Sequence, residues 1–213
     1  MNASLEEMYR THHAAKRGDG FVLLKEERGR FLREAVGTGK RVLDIGCRDG
    51  ALTATYASDN NVLGLDIDSD ALARAKSTLG IETKNVDLNG PWGIPDHAFD
   101  VVVAAEVVEH LYYPGVVFEK IAAALVPGGE LLGTVPNAFS LAHRSRYLRV
   151  SKAGTPLSDP THINHFTVKE LESLLREHFV DVSIMGIGRL GWLAQTFPQT
   201  FAFDLCFRAK KAA

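Results

Sequence analysis

The sequence predicts an α/β fold: a mostly parallel sheet with helices on both faces. Three observations carry the prediction. Runs of strand length alternate five times with runs of helical period. Two of the strand-length runs, "RVLDIG" (41–46) and "FDVVVAAE" (99–106), are apolar along their length between polar ends, as expected of strands covered on both faces. Acidic, polar and glycine residues collect just beyond the ends of these runs, where parallel sheets bind ligands.

The elements follow in order. Ser4 and Glu7 form a Ser-x-x-Glu capping box opening a first helix. In "FVLLKEERGRFLREAV" Leu24, Phe31, Leu32 and Ala35 fall on one helical stripe, so residues 1–38 read as an N-terminal helical cap. "RVLDIG" is the first strand, with a helix expected at about 50–58. "NVLGLDID" (61–68) is the second strand, and Asp68 can cap the helix "SDALARAKSTL". "IETKNVDL" (81–88) and "FDVVVAAE" are the third and fourth. Helix "GVVFEKIAAAL" (115–125) stops at "VPGG" (126–129), and "ELLGTVP" (130–136) is the fifth strand. Residues 137–166 form an insert with a short helix near 140–150. Thr167 and Glu170 make a second capping box, and "FVDVSIMGI" (179–187) and "TFAFDLCFRA" (200–209) close the chain as strands. The domain proper is thus 39–213.

With 213 residues there is room for one sizeable core. Hydrophobic residues make up 46% and charged residues 23%, an ordinary balance for a globular domain. The net charge of −2 argues against a nucleic-acid binder's basic field. Two distant cysteines, Cys47 and Cys206, allow no disulfide framework or Cys-x-x-Cys spacing, which suggests a reducing, cytoplasmic setting. The N-terminus lacks the apolar core of a signal peptide, and no uninterrupted apolar run is long enough to span a membrane.

"VLDIGCRDG" (42–50) is a strand, a tight glycine turn, then the expected helix. Gly46 and Gly50 let a ligand approach the backbone. Asp66 ends the second strand twenty-two residues beyond Asp44, where a carboxylate can accept both hydroxyls of a ribose. Taken with "LGLDID", "NVDL", "FDVVVAAEVVEHL" and "LVPGGELLGTVPN", this stretch resembles the ordered motifs of class I S-adenosylmethionine-dependent methyltransferases. The resemblance covers roughly residues 40–210. It implies a Rossmann-like seven-stranded sheet whose last strand is antiparallel, and S-adenosyl-L-methionine as cofactor. By the same resemblance Asp44 and the Gly46 backbone hold the methionine end, with Gly50 in the same turn. Asp66 takes the ribose, Ile67 packs on the adenine, Asp87 takes its amino group with Leu88 beside it, and Ala105 and Glu106 lie under the sulfonium. One departure stands out: Arg48 replaces the motif's usual glycine. It either points to solvent or meets an anion.

"AEVVEHL" (105–111) places Glu106, Glu109 and His110 at i, i+3 and i+4, one face if helical. Glu-x-x-Glu-His at this point resembles ubiquinone-pathway O-methyltransferases and the enzymes that methylate the terminal ribose of small RNAs. Both imply a divalent metal, Mg²⁺ or a related ion such as Mn²⁺. Carboxylates and an imidazole suit such an ion, which would grip adjacent substrate hydroxyls and acidify one. Glu106, Glu109 and His110 would be ligands, with a further histidine from "DPTHINHFT" (159–167): His162, or nearly as well His165. The alternatives stay open: His110, His162 or His165 as a metal-free general base, or purely structural roles.

On the acceptor side, Tyr9 and His12 in the cap and Arg144 and Arg146 in the insert are substrate candidates. They fit a small hydroxylated metabolite, sugar or glycan, and the two arginines suit an anionic one. The reading is O-methylation of such an acceptor. RNA 2′-O-methylation and a MetW-like, non-catalytic partner protein are the alternatives. Oligomeric state is not legible; "LGWLAQTF" (190–197) would line either an interface or the core.

Overall fold

The structure, a computed structural model, describes Glu7, Thr11, Gly18 and residues 20–213. The first capping box, Tyr9 and His12 therefore lie outside the described residues, apart from Glu7. Helix α1 (Lys25–Val36) leads into strands β1 (Arg41–Ile45) and β2 (Asn61–Asp66), helix α2 (Ser69–Leu79), and strands β3 (Glu82–Asn85) and β4 (Phe99–Ala105). Helix α3 (Pro114–Ala124), strand β5 (Leu125–Pro136), helix α4 (Leu141–Leu148) and helix α5 (Val168–Arg176) follow. Strand β6 (Val180–Ile187), two short helices α6 (Trp192–Thr196) and α7 (Pro198–Phe201), and strand β7 (Asp204–Lys210) complete the chain.

The seven strands form one sheet in the order β3-β2-β1-β4-β5-β7-β6. β1 pairs in parallel with both β2 and β4, whereas β7 is antiparallel to β5 and β6. This is the Rossmann-like arrangement that the motifs implied. Its order reverses between β1 and β4, so a crevice opens where those two strands end.

Alternation along the strands builds a core on each face. Leu43 and Ile45 of β1, with Val102 and Ala104 of β4, meet Phe118 and Ile121 of α3 and Leu171 and Leu175 of α5. Val42, Val101 and Val103 face the other way, against Leu32 and Val36 of α1. Phe118, Ile121, Leu171 and Leu175 are fully buried. Each such side chain stabilises the fold by about 1.5–3 kcal/mol in transfer terms.

Two caps behave as the sequence requires. Asp68 accepts from the Ala71 amide at 3.0 Å, and Thr167 and Glu170 form a complete capping box on α5. Several expectations need correction. Residues 200–203, expected within the last strand, end helix α7 and lead into β7 at Asp204, and "VPGG" lies inside β5 rather than ahead of it. Residues 50–58 do not form an α-helix but two 3₁₀ turns, Thr53–Thr55 and Ala57–Asp59. The reason is local: Thr53 and Tyr56, three residues apart, both donate to the Asp44 carboxylate, and side chains at i and i+3 eclipse in 3₁₀ geometry. Leu24 is also not part of the α1 stripe; it precedes the helix with φ 51°. In 190–197, Ala194 is buried while Trp192 is exposed.

Candidate active site

A cavity of about 220 Å³ lies over the ends of β1, β2 and β4. Gly46, Cys47, Arg48 and Asp49 line it from the turn after β1, Asp66 and Ile67 from the end of β2, and Asp87, Leu88 and Asn89 from the turn after β3. Ala105, Glu106, Val107 and His110 line it beyond β4, and Phe21, Val22, Leu23 and Arg28 close it from the N-terminal side.

The turn after β1 is built for close backbone approach. Gly46 has φ 71°, and its amide donates to Leu65 O at 2.7 Å. A Cβ at this position would overlap Val107 Cγ2, so glycine is required by space as well as by conformation. Gly50, at φ 77°, is wedged against Leu79 and Ala75 of α2; a Cβ there would sit 2.6 Å from Leu79 Cδ1.

The two strand-end aspartates do different things. Asp66 is buried and lines the cavity. It accepts from the Arg48 amide at 2.8 Å and the Asp68 amide at 2.8 Å. Burial pushes its carboxyl up, and those backbone donors pull it back. Asp44 is buried but does not line the cavity. Its Oδ2 accepts from Thr53 Oγ1 and Tyr56 OH, both at 2.6 Å, and burial pushes its carboxyl up to about 6. Asp44 thus braces the turn from behind, and Gly50 seats the turn on α2; neither faces the cavity directly.

Beyond β4 the three motif residues do not share one helical face. Glu106 has φ 58°, a left-handed conformation, and only Val108–His110 is helical, a single 3₁₀ turn. The left-handed residue swings the Glu106 carboxylate toward Arg28 of α1. Arg28 Nη2 lies 2.8 Å from Glu106 Oε2 and 2.6 Å from Asp204 Oδ2, and Arg28 Nε also donates to Asp204. Thr134 Oγ1 donates to Glu106 Oε1 at 3.1 Å. Arg28 and Asp204 are buried. Burial and the nearby Glu106 carboxylate push the Asp204 carboxyl up to about 7, against the pull of Arg28. The sequence reading missed Arg28 and Asp204. Their signals were present: a cation on the apolar stripe four residues before Leu32, and an acid inside the apolar run "AFDLCF".

Glu109, His110 and His162 do converge. One potential ligand atom from each lies within 4.8 Å of the other two, and Glu109 is buried. Glu106, the remaining motif carboxylate, is not in this group. The group is held by a splice between the 3₁₀ turn and the insert. The amides of Ile163 and Asn164 both donate to Glu109 O at 2.9 Å, and Asn164 Nδ2 donates to Leu111 O at 2.6 Å. His110 Nδ1 lies 2.8 Å from Thr161 O. A carbonyl only accepts, so Nδ1 carries the proton and Nε2 presents its lone pair when the ring is neutral. That Nε2 lies 3.9 Å from Glu109 Oε1, and the His110 and His162 rings meet edge-on with centroids 4.8 Å apart. His165 is not drawn in: it hydrogen-bonds the Pro156 carbonyl, and burial holds its imidazole below the usual range.

Arg144 and Arg146 are exposed and do not line the cavity. The Arg146 guanidinium donates to the carbonyls of Ala153 and Gly154, bracing the insert. Among the described residues no helix is long and apolar enough to cross a membrane.

With this geometry in view, comparison with known proteins places the chain. Residues 17–178 match the family model described as a methyltransferase domain, and the chain belongs to that family. Its fold is that of the class I S-adenosylmethionine-dependent methyltransferases. It is similar to a ubiquinone biosynthesis O-methyltransferase of Vibrio parahaemolyticus, 29% identical over 157 residues, which covers 70% of this chain and 66% of that one. It is also similar to the protein of the same name from Cronobacter sakazakii, 34% identical over 105 residues, covering 46% of this chain and 43% of that one. The chain thus spans two thirds or less of the length of these relatives. Among solved structures, a possible histamine N-methyltransferase from Thermotoga maritima superposes with a TM-score of 0.69 at 14% identity, covering 96% of this chain and 95% of that one.

Proposed function

We propose that the chain is an S-adenosylmethionine-dependent methyltransferase that methylates a hydroxyl oxygen of a small acceptor. The observation that carries the reading is the placement of His110. It lines the cavity with Glu106 and Gly46, its Nε2 lone pair is set by the contact of Nδ1 with Thr161 O, and Glu109 and His162 lie beside it.

In this reading the Asp66 carboxylate takes the ribose hydroxyls, and Ile67, Asp87 and Leu88 surround the adenine. The turn at Gly46 and the Arg28–Glu106 pair hold the amino-acid end. The acceptor oxygen then sits on the His110 side, in line with the methyl carbon and sulfur. An oxygen lone pair forms the bond to carbon as the carbon–sulfur bond breaks, and the hydroxyl proton passes to His110 Nε2. The products are a methyl ether and S-adenosylhomocysteine. Most of the rate comes from holding the three atoms in line, with a smaller part from the proton acceptor.

Glu109, His110 and His162 are also a fitting donor set for a divalent cation: one buried carboxylate and two imidazoles, that of His110 with its tautomer set by Thr161. When bound, such an ion would supply Lewis acidity toward a substrate hydroxyl, favouring vicinal diols. The similarity to ubiquinone biosynthesis O-methyltransferases favours oxygen over nitrogen as the acceptor atom. The lack of cationic side chains from the insert in the cavity lining weighs against an RNA acceptor.

The test is calorimetric. Mg²⁺ and then Mn²⁺ are titrated into protein saturated with S-adenosylhomocysteine, beside Glu109→Ala and His162→Ala. Heat in the wild type that is lost in both variants supports the metal-assisted form and directs the acceptor search to catechols and sugars. No heat in the wild type leaves His110 as the base and directs it to single hydroxyls. A wild type that binds no S-adenosylhomocysteine sinks the methyltransferase reading itself.

A further inference from the structure

Arg48 occupies a backbone position that suits glycine, with φ 51°. A side chain costs energy there, so what this one does in return is informative. Its guanidinium reaches back to the N-terminal segment: Nη2 donates to Gly18 O at 3.0 Å and Nη1 to Phe21 O at 3.3 Å. The next residue acts in the same direction, with Asp49 Oδ2 accepting from the Gly20 amide at 2.7 Å. Among the described residues, these two consecutive residues of the β1 turn thus make three hydrogen bonds, to Gly18, Gly20 and Phe21.

That segment is a wall of the cavity. Phe21, Val22 and Leu23 line it together with Asp66 and Ile67. Apolar burial holds the wall only weakly, since Phe21 is 51% and Leu23 45% exposed. The polar clasp from Arg48 and Asp49 therefore supplies much of what keeps it in place. The Arg48 amide, meanwhile, donates to Asp66 Oδ2 at 2.8 Å. One residue joins the carboxylate on the floor of the cavity to the wall across it.

We propose that Arg48 is a positioning residue for the cofactor. Through its clasp on Gly18 and Phe21 it holds the Phe21–Leu23 wall against the nucleoside half of S-adenosylmethionine, and so sets how tightly the cofactor is held and how slowly the demethylated product leaves. The proposal rests on the cofactor reading given above, and it concerns a residue in which this chain departs from the usual glycine of the motif.

Arg48→Gly is a clean test, because the backbone there already has a glycine's conformation. Folding strain is relieved while the clasp is lost. The expected result is a Tm for the ligand-free protein that holds or rises, a Kd for S-adenosylhomocysteine weakened about tenfold, or about 1.4 kcal/mol, and a KM for S-adenosylmethionine that rises more than kcat falls. Arg48→Lys keeps one charged donor without the fork and should lie between. Asp49→Ala should loosen the wall in the same sense. Hydrogen exchange at the Gly20 amide should accelerate in both Arg48→Gly and Asp49→Ala. If the wild type binds S-adenosylhomocysteine and Arg48→Gly binds it within twofold, the proposal is overturned while the cofactor reading stands. A Tm that falls in step with affinity, with no intermediate behaviour in Arg48→Lys, overturns it too, since Arg48 would then only support the fold. Failure of the wild type to bind removes both readings together.

Discussion

Gly46→Ala tests the floor of the cavity from behind. The perturbation has two parts that can be weighed separately. The first is conformational: φ is 71°, and a left-handed backbone costs an L-residue about 1–2 kcal/mol. The second is steric: the new methyl would overlap Val107 Cγ2. Val107 is buried and β-branched, so it has few rotamers with which to escape, and overpacking of this kind costs about 1–3 kcal/mol. The Gly46 backbone cannot simply move away, because its amide is bonded to Leu65 O at 2.7 Å. The sum is about 2–5 kcal/mol, a large part of the 5–15 kcal/mol typical of a whole domain. Urea unfolding followed by circular dichroism reads it as a lowered midpoint at constant slope. Val107→Ala removes the steric part alone, at the cost of a small cavity of its own. The double variant Gly46→Ala/Val107→Ala should therefore be more stable than the sum of the single effects predicts, by about 1–3 kcal/mol, with the conformational cost still present. Additivity to within about 0.5 kcal/mol would refute the clash. S-adenosylhomocysteine affinity should fall in Gly46→Ala and partly return in the double variant, since the same glycine lines the cavity.

Further expectations follow from the buried polar groups. Tyr56→Phe removes one of the two donors to the Asp44 carboxylate and should cost about 1.5–3 kcal/mol in urea midpoint terms, as for hydrogen bonds to charged groups; a change under 0.5 kcal/mol would mean that Asp44 is protonated or otherwise paired. Thr167→Ala breaks the capping box of α5 and should cost about 0.5–2 kcal/mol, with Thr167→Ser recovering most of it. The carboxyls of Asp44, pushed up to about 6, and Asp204, pushed up to about 7, bind protons in the folded state that the unfolded chain, with carboxyls near 4, has already released. Their contribution to stability is full below about pH 4 and is lost as pH rises toward 6 and 7. Asp100 and Glu170, held below the usual range, act in the opposite sense but only in more acid solution; the half-buried His165 imidazole, also held below its usual range, opposes the trend up to about pH 6.5, one group against two buried carboxyls. Thermal melts should therefore show Tm falling between pH 5 and pH 7. In Asp204→Asn the whole curve should drop, because Arg28 loses the carboxylate oxygen Oδ2 that accepts from both its Nε and its Nη2 and keeps Glu106, but the slope in that window should shrink. A Tm that rises through the window in the wild type would contradict the assignment.

Why the sequence yields some of these features and not others is a matter of range. β4 is legible because five consecutive residues, Val101–Ala105, need only be apolar to be covered on both faces. The cap at Thr167 is legible because its partner is three residues away. The cavity lining at Asp66 and Ile67 is legible because parallel strands must end where ligands bind. The motif "AEVVEHL" marks the limit of such reasoning. Its spacing places Glu106 with Glu109 and His110 only on an unbroken helix, and a single left-handed residue undoes the inference. What makes Glu106 left-handed is not local. Its carboxylate is claimed by Arg28, and Arg28 is held in turn by Asp204, 176 residues further along the chain. Likewise His162 and His165 are nearly equivalent as sequence candidates. Their difference arises from the pairing of Ile163 and Asn164 with Glu109 O and of His110 with Thr161 O, all across more than fifty residues. Local pattern locates the crevice, and non-local charge and backbone pairing decide which carboxylate lines it and which histidine joins His110 and Glu109. The Arg28–Glu106–Asp204 cluster is therefore the point at which the N-terminal helix, the end of β4 and the last strand are made to agree. A change at Asp204, remote in sequence from every motif, should reach the cavity through Arg28.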